Sequence, residues 1–356
     1  MKRRWVTIVI ATTAASARAD DGVQPELPST APGNASVIPD PPSRPASTGT
    51  FAVGASYSTD DKFGSSASIV QADLFGTGKL LSLDAMINDR EQRFGARFSD
   101  PHLLGSDLRF AAEVTVDSQH LADFTRLGAG SSISLSHVTA PHTRTSVTYR
   151  FEAVHEEPER WIAGPMDYNV SALRVGSEYN TLSEPFLATH GSRVGGYVEV
   201  AAAGLGSDVE DMRTSTFAET HRGLGGGLIL HLRGSLESVS VASSRMAAGE
   251  RLYFAGSSQI RGYAPTQLGP SDGSGHRLGG DFAAYASAEL ELPVTHGLSA
   301  VGFVDGGGLV DVQSGELAAS TGLGLVWRSP VGPIGGYLAW TATGGPTFVF
   351  GIGQAF

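Results

Sequence analysis

The sequence predicts an all-β protein, a transmembrane antiparallel β-barrel of about 16 strands that follows a secretory leader. Three observations lead there. Apolar and polar residues alternate with period two through most of the chain after residue 50, in segments of ten or more residues. The first twenty residues read as an export signal. No other segment holds the roughly 20 consecutive apolar residues that a membrane-spanning helix needs.

Residues 1–19 carry the basic head Lys2-Arg3-Arg4, an apolar run from Trp5 to Ala15, and Ala17-Arg18-Ala19 before Asp20. This is the layout of a signal peptide cleaved after Ala19, and its apolar run is too short for a spanning helix. The competing reading is an uncleaved helical anchor. Residues 20–49 place Pro25, Pro28, Pro32, Pro39, Pro41, Pro42 and Pro45 among Ser, Thr and Ala. That composition predicts an extended periplasmic linker, and a segment this short is not expected to fold as an independent domain.

Residues 50–356 carry the barrel. In "LGGDFAAYASAELEL", Leu278, Gly280, Phe282, Ala284, Ala286, Ala288, Leu290 and Leu292 share one face, against Asp281, Tyr285, Ser287, Glu289 and Glu291 on the other. In "ELAASTGLGLVW", Leu317, Ala319, Leu323, Leu325 and Trp327 oppose Ser320, Gly322 and Gly324. The last segment sets Phe348, Phe350, Ile352 and Phe356 against Thr347, Gly351, Gly353 and Ala355. A soluble sandwich also alternates, but its strands are usually shorter, with a mode of about 5–6 residues. The same pattern predicts strands near 50–59, 64–74, 78–89, 91–99, 107–118, 124–138, 143–156 and 168–179. It predicts a second set near 192–203, 209–221, 224–238, 278–292, 297–309, 316–328, 333–343 and 346–356. The longest connection, about 239–277, contains "SSQIRGYAP", and long connections in compact structures tend to be functional or disordered.

Composition excludes several functions. A net charge of −11 argues against nucleic acid, whose phosphates call for basic patches. With no cysteine there is no disulfide framework, thiol chemistry or cysteine metal site. "FGTGKLL" fails the phosphate-loop pattern because Asp73 and Leu80 stand at required positions, and no G-x-S-x-G elbow occurs. "GLGGGL" and "GLGLVW" lie inside alternating segments, where small lumen-facing residues explain them. His221 and His231 share no ligand spacing, and His142, His155, His190 and His296 read as loop or rim residues. The expectation is a non-enzyme with no cofactor and no metal.

An ordered series of segments resembles the barrel of outer-membrane assembly factors of the BamA and TamA type, the bacterial surface antigen family. The segments are "LFGTG" (74–78), "FSDPHLLG" (98–105), "THGSRV" (189–194), "YFAGSSQIRGY", "GGDFAAYASAELELP", "FVDGGGL", "WRSPVGPI" and the terminal "FVFGIGQAF". Each is weak alone, while their order along the chain is specific. About 120–180 is supported mainly by strand period. The resemblance implies that Arg261 of Ile260-Arg261-Gly262-Tyr263 folds back into the barrel to meet acids on the lumen wall. The matching acids are Glu289 and Asp305, with Phe303 and Gly307 as inward neighbours, and parity places both acids on the polar face. An arginine fork to carboxylates is directional. At an effective dielectric near 20 a close pair supplies at most about 4 kcal/mol before desolvation, so it positions the loop more than it stabilises the fold. The alternative is a turn with a solvated Arg261.

The resemblance also implies a seam between the first and last strands that opens sideways, aided by a kink at a glycine to which Gly353 corresponds. Gly351 and Gly353 fit such a bend, and equally fit a need for room in the lumen. Terminal Phe356 with Phe348, Phe350 and Ile352 forms the C-terminal signal of an outer-membrane protein. Family members carry periplasmic polypeptide-transport-associated domains that receive substrates, and residues 20–49 match none. The expectation is therefore an outer-membrane assembly or translocation barrel. Its partners would be membrane lipids, unfolded outer-membrane clients and a periplasmic protein that lends the receiving domains. Two other readings are a passive or structural barrel that keeps the fold without the activity, and a secretion pore for one dedicated partner.

Overall fold

The computed structural model describes residues 49–58, 62–121, 123–159, 164–184, 188–241, 247–295, 297–311, 314–329, 332–342 and 344–352. The signal and linker expectations, Gly353 and Phe356 lie outside these residues. Within them the chain forms sixteen strands. They are β1 Gly49–Ser58, β2 Lys62–Gln71, β3 Leu80–Ile87, β4 Glu91–Asp100, β5 Arg109–Leu121, β6 Phe124–Ala140, β7 Thr143–Pro158 and β8 Asp167–Asn180. The series continues with β9 Gly191–Ala201, β10 Asp211–Gly225, β11 Leu228–Val241, β12 Phe282–Thr295, β13 Leu298–Val310, β14 Gly315–Ser329, β15 Gly332–Thr341 and β16 Pro346–Ile352. Each pairs antiparallel with its sequence neighbours, in the ring order of an up-and-down barrel. An even strand number brings both ends of the ring to the same side, here called the terminal side. The 40-residue region between β11 and β12 emerges from the opposite side.

The alternation decides which way each side chain faces. On β14, Leu317 is 82% exposed and Leu323 64%, while Ser320 and Val326 on the other face are buried. The same outward set recurs around the ring with Phe51, Ile69, Leu83, Phe94, Val116, Ile133, Val198, Leu290 and Val304. Apolar side chains at this exposure suit lipid, because water would charge about 25 cal/mol for each Å² left uncovered. The inward positions hold the charges. Across β5 to β9 they form a ladder: Arg126 pairs with Asp117 and Glu152, Arg150 with Glu152 and Glu199, and Arg174 with Glu199.

Strand boundaries shift by up to four residues from the sequence expectation, as at the end of β10 and the starts of β11 and β12, and the last of these has a visible cause. The alternating run begins at Leu278, but β12 starts at Phe282. The backbone of the preceding residues is engaged by the long loop itself. Leu252 and Gly280 exchange both hydrogen bonds at 2.8 and 3.0 Å, and the Leu278 N–H donates to the Pro270 carbonyl at 2.9 Å.

β1 and β16 bring the two ends of the ring together. β1 pairs with β2 from Gly49↔Gln71 through Ser58↔Lys62, and β15 with β16 from Ile334↔Ile352 to Trp340↔Pro346. Between β1 and β16 the described residues share a single register pair, Ser58↔Gly351. On the outer face Tyr57 packs against Phe350 with ring centroids 6.2 Å apart, and Phe348 stacks on Phe350 at 6.3 Å.

The facing assignment has a direct test. Leu323→Arg, at the middle of β14 on the outer face, is expected to lower stability in vesicles by about 2–4 kcal/mol in a urea titration. A loss well under 1 kcal/mol would place β14 with that face away from lipid.

Candidate functional site: the docked loop in the lumen

The loop between β11 and β12 crosses the barrel interior, since its residues contact β6, β7 and β10 at one end and β12 to β15 at the other. Its packing is apolar first. Leu252, Phe254, Ile260, Tyr263 and Leu268 from the loop are buried with Val239 of β11 and Leu309 of β13. Burying one such side chain is worth about 1.5–3 kcal/mol, so five of them supply more docking energy than any single ion pair. The polar contacts decide where the loop sits.

Arg261 is fully buried, as is its partner Asp305. Its Nε donates to Asp305 Oδ2 at 2.8 Å, and Nη2 donates to Asp305 Oδ1 at 2.8 Å, a two-pronged fork. The Arg261 backbone N–H adds a third bond to Oδ2 at 3.0 Å. Nη1 donates to Glu289, and Nη2 also reaches Ser287 Oγ at 3.2 Å, whose hydroxyl donates to Asp305 Oδ1 at 2.6 Å. Burial alone would favour a neutral guanidine; Asp305 and Glu289 outweigh it and raise the Arg261 pKa further, so it is a permanent cation. Removing one member of such a buried pair costs about 3–5 kcal/mol, because the other is left uncompensated.

Two aromatic rings close over the guanidinium. Its Cζ lies 3.5 Å from the Phe303 ring centroid and 5.1 Å from that of Tyr337. Both rings occupy space left by glycines on β14. A Cβ at Gly322 would stand 2.4 Å from the Phe303 ring, and one at Gly324 would stand 2.4 Å from the Tyr337 ring. The small residues of "GLGLVW" are thus the floor of an arginine cage. Gly262 has φ +94°, and a Cβ there would meet Thr341 and Ala339 at 2.9 and 3.0 Å. Tyr263 is buried and donates its hydroxyl to the Ala319 carbonyl at 3.4 Å. Ile260 is fully buried in the apolar cluster. Gly307 faces inward on β13, with a β12 carbonyl 2.3 Å from where a Cβ would be. Phe348, Phe350, Gly351 and Ile352 lie apart from this site, on β16 at the seam.

A second anchor was not visible in the sequence. Glu250, also in the loop, is buried at the opposite wall. Its carboxylate accepts from Arg126 Nη2 on β6, Arg213 Nη2 on β10 and the Tyr168 hydroxyl on β8, each at 3.3 Å. Arg213 Nη2 also donates to the Glu250 carbonyl at 2.8 Å, and the Gly249 N–H donates to Glu156 Oε1 on β7 at 2.7 Å. Burial by itself would raise the Glu250 pKa; the guanidinium groups of Arg126, Arg213 and Arg150 reverse this and hold it below the usual carboxylate range. Arg126 and Arg213 stand at inward positions in the sequence, but nothing local singles out Glu250 as their partner.

The structure also joins His221 and His231, which sequence spacing had left unrelated. They are register partners on β10 and β11, with Nδ1 atoms 2.5 Å apart. His231 Nε2 lies 3.0 Å from Glu291, which accepts from Ser299 Oγ and Arg328 Nη2. Of the other histidines, His142 sits in the β6–β7 turn against Tyr179, His155 on β7 beside Asp167, and His190 beside Thr189. His296 is outside the described residues. Among the described residues no group of three His, Asp or Glu could hold a metal ion.

A ring of sixteen antiparallel strands with an arginine-bearing loop folded into its lumen defines a class of membrane protein, and similarity to known proteins agrees. The chain belongs to the Omp85 superfamily, whose domain matches residues 73–356. The outer membrane protein assembly factor BamA of Nitratidesulfovibrio vulgaris is 26% identical over 302 residues, covering 81% of this chain and 38% of that protein. BamA of Neorickettsia risticii is 25% identical over 317 residues, covering 80% and 41%. The chain thus spans about two-fifths of the length of these relatives. Among solved structures, BamA from Haemophilus ducreyi lacking POTRA domains 1–3 superposes with TM-score 0.77 at 18% identity, over 87% of this chain and 70% of that one. CdiB from Escherichia coli gives 0.60 at 14%, over 90% and 64%. These two share the fold. The chain is an outer-membrane β-barrel of the BamA type.

Two measurements check the anchors. In a double-mutant cycle of Arg261→Ala and Asp305→Ala, read as protease protection of the loop in a folded barrel, the pair should couple by about 0.5 kcal/mol or more; additive effects would show no contact. For Glu250, whose pKa falls on docking, the docked state gains its full contribution above pH 4.5, the free-carboxylate value, and loses it as pH drops through the lower docked value. Protection of the loop should therefore fall on acidification below pH 4.5, and Glu250→Gln should remove that dependence.

Proposed function

We propose that this barrel assists the insertion or translocation of outer-membrane proteins, with the seam between β1 and β16 as the place where a client strand engages. The observation that carries the reading is membership of the Omp85 superfamily together with relatives named as assembly factors. β1 and β16, the first and last strands, meet at the register pair Ser58↔Gly351. Unpaired N–H and C=O groups at a strand edge are a template for another strand. In lipid they are also costly, so an incoming β-strand that satisfies them is favoured.

The loop's part in this mechanism is to hold the wall still away from the seam. Arg261 ties it to β12 and β13, and Glu250 ties it to β6 and β10, all away from the seam. Movement is then confined to the strands that the loop does not clamp. Unfolded outer-membrane clients and a periplasmic protein that hands them over are the partners this reading calls for. A second reading, a structural barrel without assembly activity, is supported by the loop's attachment to both walls, which a static barrel would share.

The chain's lack of cysteine makes the deciding experiment simple. Ser58→Cys with Gly351→Cys should form a disulfide on oxidation and lock the seam at its register pair. The unlocked barrel in vesicles is expected to speed the folding of an added β-barrel client, scored by its heat-modifiable gel shift. Oxidation should abolish that gain and reductant restore it. An unchanged rate on locking would favour the structural barrel.

A further inference from the structure

Two segments singled out in the sequence, "LFGTG" and "FSDPHLLG", take no part in the lumen site or the seam. In the structure they reach into the β2–β3 and β4–β5 connections, and the two turns there have the same conformation. In each, a short 3-10 turn opens with Leu, at Leu74 or Leu103, and its second residue has φ 54° and ψ 29°. The hydrogen bonds correspond one to one. Leu74 N–H donates to the Lys79 carbonyl and Leu103 N–H to that of Leu108; Gly76 N–H donates to Asp73 and Gly105 N–H to His102. The Thr77 and Ser106 hydroxyls both donate back to the first leucine's carbonyl, at 2.6 and 2.7 Å.

The residue in that left-handed conformation is Phe75 in one turn and Leu104 in the other, with exposures of 92% and 97%. A bulky side chain is a poor choice there on two counts. The backbone conformation favours Gly or Asn, and water disfavours the exposed apolar surface. The same unfavourable choice appears in two neighbouring turns on the terminal side of the barrel. β3 and β4 are paired, so the turns stand two strand spacings apart, about 10 Å.

What the turns adjoin indicates what covers them. On the outer wall just above, Phe98 packs edge-on against Phe110, Lys79 Nζ lies 6.0 Å over the Phe98 ring, and Lys79 pairs with Asp100 at 3.3 Å. Apolar rings beside a lysine–carboxylate pair mark this height as the change from apolar to charged wall, as at the boundary between hydrocarbon and headgroups. Outward Ile69 and Leu83 continue that wall into the apolar band. A strand covers about 3.3 Å per residue and the polar zone of a leaflet is about 5–8 Å deep, so the turn tips are within reach of the lipid interface.

We propose that Phe75 and Leu104 form a paired apolar anchor that inserts into the lipid interface on the terminal side of the membrane. It lies on the sector next to the seam, because β2 is the neighbour of β1. The inference rests on the membrane-spanning fold and not on assembly activity, so it can fail or stand independently of that reading.

Nitroxide labels on single cysteines test it in the folded barrel, reconstituted in phosphatidylethanolamine–phosphatidylglycerol vesicles. Labels at Phe75→Cys and Leu104→Cys should collide with oxygen more than with a water-soluble nickel complex, matching Leu83→Cys on the lipid face. Ser274→Cys, on the exposed tip of the long loop, should show the reverse. Ratios at 75 and 104 equal to that at 274 would overturn the anchor and leave the pair to a protein partner. A label-free variant gives a sign test. Phe75→Asn with Leu104→Asn relieves the backbone, so turns without a lipid role would insert at an equal or higher rate. The anchor requires the opposite, a lower fraction inserted into the same vesicles, and equal or faster insertion would overturn it.

Discussion

A backbone that crosses hydrocarbon as strands must place every N–H and C=O against a neighbouring strand, because no water is present to take their place. That demand closes the sixteen strands into a ring and makes any unpaired edge costly. It also fixes the direction of every side chain, since a paired strand alternates its faces with period two. Apolar residues such as Leu323 and Leu317 are left to the lipid, and the charged residues have only the lumen to enter.

Charges gathered in a lumen must then be paired, and this governs the interior. Arg126, Arg150 and Arg174 are held by acids on neighbouring strands. Arg261 and Glu250 come from the loop and are answered by wall residues of opposite sign on opposite sides. Apolar burial of Ile260, Phe254 and Leu252 drives the loop inward, whereas the ion pairs tolerate few alternative positions. A guanidinium between Phe303 and Tyr337 that bonds both oxygens of Asp305 cannot shift by one residue without stranding a buried charge.

Exceptions to these rules are where function is to be sought. The β2–β3 and β4–β5 turns depart from the rule that apolar side chains are covered. Both turns fall on the sector next to β1. Elsewhere the lumen ion pairs of β5 to β9 and the docked loop cross-link the wall.

The alternation in "LGGDFAAYASAELEL" and its counterparts determined the strand number and the facing of Leu290, Ser287 and Glu289 without any tertiary information, because period two is a property of consecutive residues. The resemblance in "SSQIRGYAP" pointed to Arg261, Glu289 and Asp305, which lie together in the structure. Tertiary structure alone decided that the backbone at Gly280 would serve the loop at Leu252 in place of extending β12. It also decided that His221 would face His231, that Glu250 would find Arg126 more than a hundred residues away, and that Phe75 and Leu104 would be presented alike on adjacent turns. The reason is register: which residues meet across a strand pair, or across the lumen, depends on turn lengths summed around the ring and on the path of one long loop, and neither leaves a local pattern in the sequence.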